Sequence, residues 1–577
     1  MTAIDEKVDR SMRERAAALG GGAVAPVREW PARVATPEPM APLVNKNPPS
    51  VNPAAANLKY NAAAETRDVA ARLAAFAEQE FDPTARELSL TDSFAQAQLT
   101  AREYLNAEEE FILASIRMLI ERHRFSPQLF NNTSVQFDQP GNDGKNDVVL
   151  RLLNDAGVRW QLPTGGQVAA RWVWNAVENL RTEATGRYTQ SSQLVLDANI
   201  PLLRGAGDVA QESLIQAERG LVYAARDFES FRRDFLVSLA RDFFALMQSL
   251  DAISNQKRQL ESFLQLQDRQ RAWYEAGLLP EFDVNLATNE VLQSRAALAN
   301  LTEVFILQLD RYKVRLGLPV VTKIRIKPDE LPVPEPDFSL HTATEFALDY
   351  RLDLQNQRDK VDDSKRQVAN AKNALLPDLN LVAATTVGTD PNAREGGLIY
   401  KLDEVGYSAG ALFSLPLDRE TEKLQLRAAT LQFEQQQRTF AKFRDDLILD
   451  VRAKTREIER ARLNLDLAEE RVKLNLRRQE EQSLKPDEVT TREQVDTAND
   501  LLNSERARDQ ARADVRSAVL DWLLATGQMR VRPDGQFLPL PGMVMGSATA
   551  PPEPNTGPGP PDPLPDPGPD PGPDPNP

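Results

Sequence analysis

The chain has no cysteine and two histidines in 577 residues. The first absence excludes a disulfide framework, a thiolate metal site and a lipid-anchored cysteine. The second leaves little to build a metal centre from. His123 and His341 lie far apart, and neither stands at a ligand spacing from another donor. Long apolar runs are missing as well: no stretch of about eighteen apolar residues exists, so no transmembrane helix is expected. The chain contains no G-x-S-x-G, no phosphate-binding loop and no dinucleotide fingerprint. No enzyme activity and no cofactor are therefore expected. The N-terminal run MTAIDEKVDRSMRERAAALGGGAVAP has charges and an A-V-A, but AAALGGG is a weak apolar core for a secretory signal peptide.

Charge is plentiful but mixed. With 69 basic and 85 acidic residues the net charge is −16. That balance argues against a nucleic-acid partner and fits solvated helix faces. Proline and glycine are concentrated at the ends and at one joint. Residues 1–85, rich in Ala, Pro and Asn, read as a mostly extended or disordered extension. Residues 529–577 end in PPEPNTGPGPPDPLPDPGPDPGPDPNP, a tract too poor in apolar residues to bury a core, and read as a disordered tail. A Pro-rich linker covers 319–338.

Between these segments two kinds of periodicity occur. Alternation with period two marks strands. In QVAARWVWNAV, Val168, Ala170, Trp172, Trp174 and Ala176 share one face, and Gln167, Arg171 and Asn175 share the other. In SSQLVLDANI, Leu194, Leu196, Ala198 and Ile200 oppose Ser191, Gln193, Asp197 and Asn199. LNLVAATTV and VGYSAGALFSL make a second pair, with Tyr407 and Phe413 on the apolar face. Spacing near 3.5 marks coiled-coil helices. Leu236, Leu239, Phe243, Leu246, Leu250 and Ile253 form one seam; Leu447, Val451, Ile458, Ala461, Leu465, Ala468 and Val472 form another. No proline interrupts Leu203–Leu279 or Leu417–Lys485, so each run allows a helix of about 70 residues, about 100 Å long.

The two halves repeat one order of elements. Ser89-Leu90 matches Ser339-Leu340, Pro127 matches Pro377, Ile200-Pro201-Leu202 matches Leu415-Pro416-Leu417, and Gly317 matches Gly527. The first repeat spans 86–318, with a β-hairpin at 167–200 and a long helical hairpin at 203–317. The second spans 339–528, with a β-hairpin at 379–415 and a long helical hairpin at 417–527. Residues 131–166 are an extra stretch of the first half. Four strands with one apolar and one polar face leave edges that a bilayer does not tolerate. Two copies would make eight strands, too narrow for a conduit, and three would make twelve.

At LPTGG, IPLLRGAG, the helix reversal YEAGLLPEFDV, and the terminal Y-x-x-x-x-G and W-x-x-x-x-G runs at Tyr312–Gly317 and Trp522–Gly527, residues 86–530 resemble the TolC-type outer-membrane efflux protein family. The resemblance implies an α+β membrane protein, mostly α. Long coiled-coil helices would form a trimeric α-barrel, and four strands per chain would join a shared 12-stranded transmembrane β-barrel. It implies an outer-membrane channel of a tripartite efflux or type I secretion system. Such a homotrimer is a passive duct set in outer-membrane lipid, with its helices in the periplasm. It docks on a periplasmic adaptor (membrane fusion) protein and an inner-membrane RND or ABC transporter. Trp172, Trp174, Leu194, Leu196, Tyr407 and Phe413 would then face lipid, and Arg171, Asn175, Gln193 and Asp197 the lumen. Gly277 and Asp283 would shape the first periplasmic reversal. The second, EEQSLKPDEVTTREQVDTANDLL, departs from the family in lacking a glycine and carrying Pro486. There Glu493 and Asp496, spaced i, i+3 on one helix face, are candidates for a gate ring, as are Asp487 and Glu488. The competing reading is a soluble coiled-coil scaffold, in which these carboxylates are solvated helix residues.

Overall fold

In a computed structural model of the chain, the structure describes residues 2–19, 85–138, 149–179, 189–327, 334–335, 339–389, 399–484, 489–532 and 544–545. Each half is built from four helices of matched length around strands of one sheet. In the first half these are α2 (Leu90–Thr100), α3 (Arg102–Arg124), α4 (Glu212–Glu275) and α5 (Glu281–Arg315). In the second they are α6 (Leu340–Tyr350), α7 (Leu352–Asn373), α8 (Glu420–Leu484) and α9 (Thr491–Ala525). Helices α4 and α8 hold 64 and 65 residues, which at 1.5 Å per residue makes each about 96 Å long. A 3-10 turn at Gly207–Gln211 precedes α4, so the helix begins well after Pro201.

The heptad positions are the core. Leu236, Leu239, Phe243, Leu246 and Ile253 of α4 are buried, as are Leu447, Val451, Ile458 and Ala461 of α8. A second, smaller core lies toward the helix reversals, where Phe263, Leu266, Ala287, Val291 and Val495 pack from α4, α5 and α9. The terminal glycine of each half closes a joint. Gly317 has φ +75° and lies so close to the Thr100 carbonyl, at the break between α2 and α3, that a Cβ would overlap it. Gly527 has φ +70° and stands against Tyr350, at the equivalent break between α6 and α7. Only a residue without a Cβ combines that backbone with that approach.

The sheet differs from expectation in size. It has six antiparallel strands in one meander: β2 (Gln128–Asp138), β3 (Val149–Gln161), β4 (Gln167–Asn179), β5 (Thr189–Pro201), β8 (Asp378–Thr389) and β9 (Tyr400–Ser414). The expected four strands per chain are corrected to six in the described sheet. The extra stretch of the first half is itself a hairpin. Its residues Asn131-Asn132 and Asn154-Asp155-Ala156-Gly157 look like turn formers, yet they are mid-strand. Pairing explains them. The Asn154 amide donates to Asn131 Oδ1 at 2.8 Å and to Thr133 Oγ1 at 2.7 Å across the β2–β3 ladder. At Gly157 a Cβ would collide with the Ala170 carbonyl of β4.

Three further departures concern the ends and the joint. Thr2–Leu19 is a helix, α1, within the segment read as extended; its Val8 and Met12 are buried in the main core. The Pro-rich linker contains β6 (Ile324–Ile326), which pairs in parallel with β1 (Arg86–Leu88). The start of the tail is packed: Met529 and Val531 are buried, and the Val531 carbonyl accepts from the buried Arg232 guanidinium at 2.8 Å. Two-residue strands β7 (Pro334–Glu335) and β10 (Val544–Met545) pair with each other. The remaining parts of the extension and the tail lie outside the described residues.

Candidate functional site

Register across the meander sorts the strand residues into two faces. One transverse row reads Val158, Ala170, Leu196, Thr385, Tyr407, and the next reads Ala156, Trp172, Leu194, Val387, Val405. Trp174, which pairs with Ser192, and Phe413, which pairs with Leu379, lie on the same face. Leu194, Leu196, Tyr407 and Phe413 are exposed along it. Polar atoms on this face find partners. The Trp172 indole N–H donates to Ser192 Oγ at 2.9 Å, and Ser192 Oγ meets the Tyr400 hydroxyl at 2.5 Å.

The opposite face carries Arg171, Asn175, Gln193 and Asp197. Arg171 Nε donates to Asp197 Oδ1 at 3.1 Å, and its Nη1 lies 3.8 Å from Asp155 Oδ2. One guanidinium of β4 thus joins a carboxylate on each neighbouring strand. Asp155 escapes a reading of the sequence because N-D-A-G signals a turn. At the helix end of β3, the Arg159 guanidinium sits over the Phe130 ring, 5.1 Å from its centroid.

At the far end of the long helices, α4 stops at a left-handed glycine. Gly277 has φ +73°, and the Leu278 N–H returns to the Trp273 carbonyl at 2.9 Å, a closure of the last helical turn. Helix α5 starts at Glu281, two residues before Asp283, which lies in its first turn where a carboxylate complements the helix dipole. Leu278 and Phe282 are exposed at this reversal.

At the second reversal Glu493 is the third residue of α9 and half of a capping box. Its carboxylate accepts from the Thr490 backbone N–H at 3.0 Å, and Thr490 Oγ1 accepts from the Glu493 N–H at 3.3 Å. The backbone bond from Thr490, then the side-chain bond from Thr490, hold this carboxyl below the usual range. The T-T-R-E run at 490–493 was the available signal. Asp496 follows on α9, exposed. Asp487 and Glu488 lie outside the described residues. Behind this tip the seam between α4 and α9 turns polar. Arg269 donates to Gln494 at 2.6 Å, Gln259 to Asn499 at 2.8 Å and Asn255 to Asp509 at 2.9 Å. Among the described residues no group of three or more His, Cys, Asp or Glu is placed to hold a metal ion, and no helix is long and apolar enough to cross a membrane.

No protein-family model and no curated protein matches the chain. Solved structures do. The Campylobacter jejuni CmeC outer membrane channel superposes with a TM-score of 0.55 at 13% identity, covering 78% of this chain and 86% of that one. The outer membrane protein VceC of Vibrio cholerae gives 0.54 at 15% identity, over 76% of this chain and 96% of that one. The open-state MtrE outer membrane channel of Neisseria gonorrhoeae gives 0.55 at 14%, over 76% and 88%. Identity this low speaks for architecture alone, and the architecture agrees over three quarters of the chain: the protein has the fold of the TolC-type outer-membrane channels.

Proposed function

We propose that the protein is a passive exit duct in an outer membrane, formed by three copies that share one β-barrel and one helical barrel. The observation that carries this reading is the sheet itself. Its apolar face extends over all six strands and is exposed, interrupted on β2 and β3 by the mutually hydrogen-bonded Asn131, Thr133 and Asn154; its other face carries the Arg171 charge cluster; and the sheet adjoins helices about 96 Å long. In water such a face aggregates; in lipid it is satisfied, provided the sheet closes. The Arg171, Asn175, Gln193 and Asp197 face then lines the lumen, and Trp172, Trp174, Leu194, Leu196, Tyr407 and Phe413 face lipid.

On this reading the helices cross the periplasm. The tip around Gly277, Asp283, Glu493 and Asp496 meets a periplasmic adaptor protein, and an inner-membrane RND or ABC transporter supplies the energy for efflux or type I secretion. The duct does no chemistry. The test is to export the chain with a supplied leader, extract the membranes in detergent, weigh the native particle and record conductance in a planar bilayer. A membrane-extracted particle of three chains that conducts supports the duct. A monomer or dimer in the soluble fraction refutes it in favour of a coiled-coil scaffold.

A further inference from the structure

We infer that three copies close a barrel of eighteen strands, with β2 of one copy pairing to β9 of the next. The inference rests on the trimeric reading above and departs from the twelve strands that the family resemblance implies. It begins with which edges are free. Strand β4 has β5 on one side and β3 on the other, in unbroken register from Val149↔Asn179 to Gln161↔Gln167. Its second edge is therefore unavailable to a neighbouring copy. The free edges of the described sheet are β2 and β9.

The β2–β3 hairpin is part of the wall and not a flap beside it. Arg171 of β4 reaches Asp155 of β3 as well as Asp197 of β5. The Gly157–Ala170 approach leaves no room for a Cβ. Releasing the hairpin to expose β4 would break the entire β3–β4 ladder and, in lipid, leave its N–H and C=O groups without partners. Closing through β2 breaks nothing.

The two free edges are compatible. Strand β2 leaves the helical end after Pro127, and β9 returns to it before Pro416, so the two run in opposite directions, as an antiparallel seam requires. Both continue the same two faces. Leu129, Val135 and Phe137 of β2 lie with Tyr407 and Phe413 of β9 on the apolar side, and all five are exposed, most of all Leu129 at 86% and Tyr407 at 80%. Six strands from each of three copies make eighteen. Strands about 4.8 Å apart and tilted about 40° each take about 6.3 Å of circumference, so the backbone cylinder is about 36 Å across, against about 24 Å for twelve strands. An eighteen-stranded barrel leaves a porin-like aqueous lumen, and the added hairpin lines it with Arg151, Asp155 and Arg159. The outer mouth then admits bulkier cargo than a twelve-stranded mouth.

The test uses the full chain extracted as a trimer. Top views by electron microscopy measure the barrel directly: about 36 Å is expected, and about 24 Å overturns the inference. The absence of native cysteine makes cross-linking a clean second measurement. Thr133→Cys on β2 is combined in turn with Tyr407→Cys, Ala409→Cys and Ala411→Cys on β9, and Ala170→Cys on β4 is combined with the same three. Covalent rings of three chains are expected from at least one β2 pairing and from no β4 pairing. Rings from β4, or trimers that never cross-link through β2, overturn the eighteen-strand wall. A cysteine-free parent that runs as a monomer in detergent refutes the trimeric duct itself, which is a separate outcome.

Discussion

If the sheet is the wall of the proposed duct, Leu196 offers the sharpest test of which face meets lipid. It is the eighth of the thirteen residues of β5. A strand tilted about 40° climbs about 2.5 Å along the membrane normal per residue. Leu196 therefore sits about 13 Å above Pro201 and about 18 Å below Thr189, near the middle of an apolar band about 25 Å tall. Its row neighbours are Ala170 and Thr385, too small for a lysine to use as cover. Leu196→Lys is expected to cost about 2–4 kcal/mol per chain, and so about 6–12 kcal/mol in a trimer if the sites act independently. Gln193→Lys, three residues away and on the opposite face, is the control; its ammonium stays in lumen water and is expected to change stability by less than about 0.5 kcal/mol. The assay is the midpoint of heat- and urea-induced loss of the trimer band after reconstitution in lipid. Equal midpoints for the two variants would refute the assignment of faces, and a Gln193→Lys variant less stable than Leu196→Lys would reverse it.

Other consequences follow from the joints and the tip. Gly317→Ala forces a Cβ onto the Thr100 carbonyl and is expected to cost well over 1 kcal/mol; Gly277→Ala, with nothing within 4 Å, costs only the left-handed backbone, about 1 kcal/mol, and thermal midpoints rank the two. Glu493→Gln keeps the capping box but removes the charge, whereas Glu493→Ala loses both; a change in single-channel conductance with Gln identifies a gate charge, and a change with Ala alone identifies a cap. Because its folded-state pKa is depressed, the Glu493 contribution is present above the ordinary value of 4.5 and lost as pH falls below it, so the protection of the first-turn amides of α9, taken relative to the intrinsic exchange rate at each pH, is expected to drop only under acid conditions. Arg171→Leu leaves Asp155 and Asp197 without their shared cation, and the reversal potential in a salt gradient is expected to move toward cation selectivity.

Much of the architecture was legible because its signals are local. The heptads at Leu236–Ile253 and Leu447–Val472 repeat within a few residues, and a helix buries such a stripe against whatever matching stripe it meets. Strands β4 and β5 alternate over eight or more residues, whereas β8 runs Leu381-Val382-Ala383-Ala384 without a polar residue and was placed by its partner β9. The glycines at 317 and 527 were visible as a repeat, although their physical reason, a carbonyl pressed where a Cβ would be, belongs to the α2–α3 and α6–α7 breaks that receive them.

What the sequence by itself determined was periodicity, internal repetition and the lack of any chemistry-bearing cluster. Tertiary structure decided the size of the sheet and the capping contact of Glu493. Strands β2 and β3 carry Asn, Asp and Gly in mid-strand, and read singly these residues favour turns. They become strand residues when Asn154 finds Asn131 and Thr133, and Asp155 finds Arg171, across ladders whose partners are remote in sequence. Helix α1 is equally dependent on context, since Val8 and Met12 form a stripe too sparse to hold a helix until the main core covers it. Periodicity is a property of neighbours along the chain, whereas a polar residue's fitness for a strand depends on what is paired beside it, and that is settled only when distant segments meet.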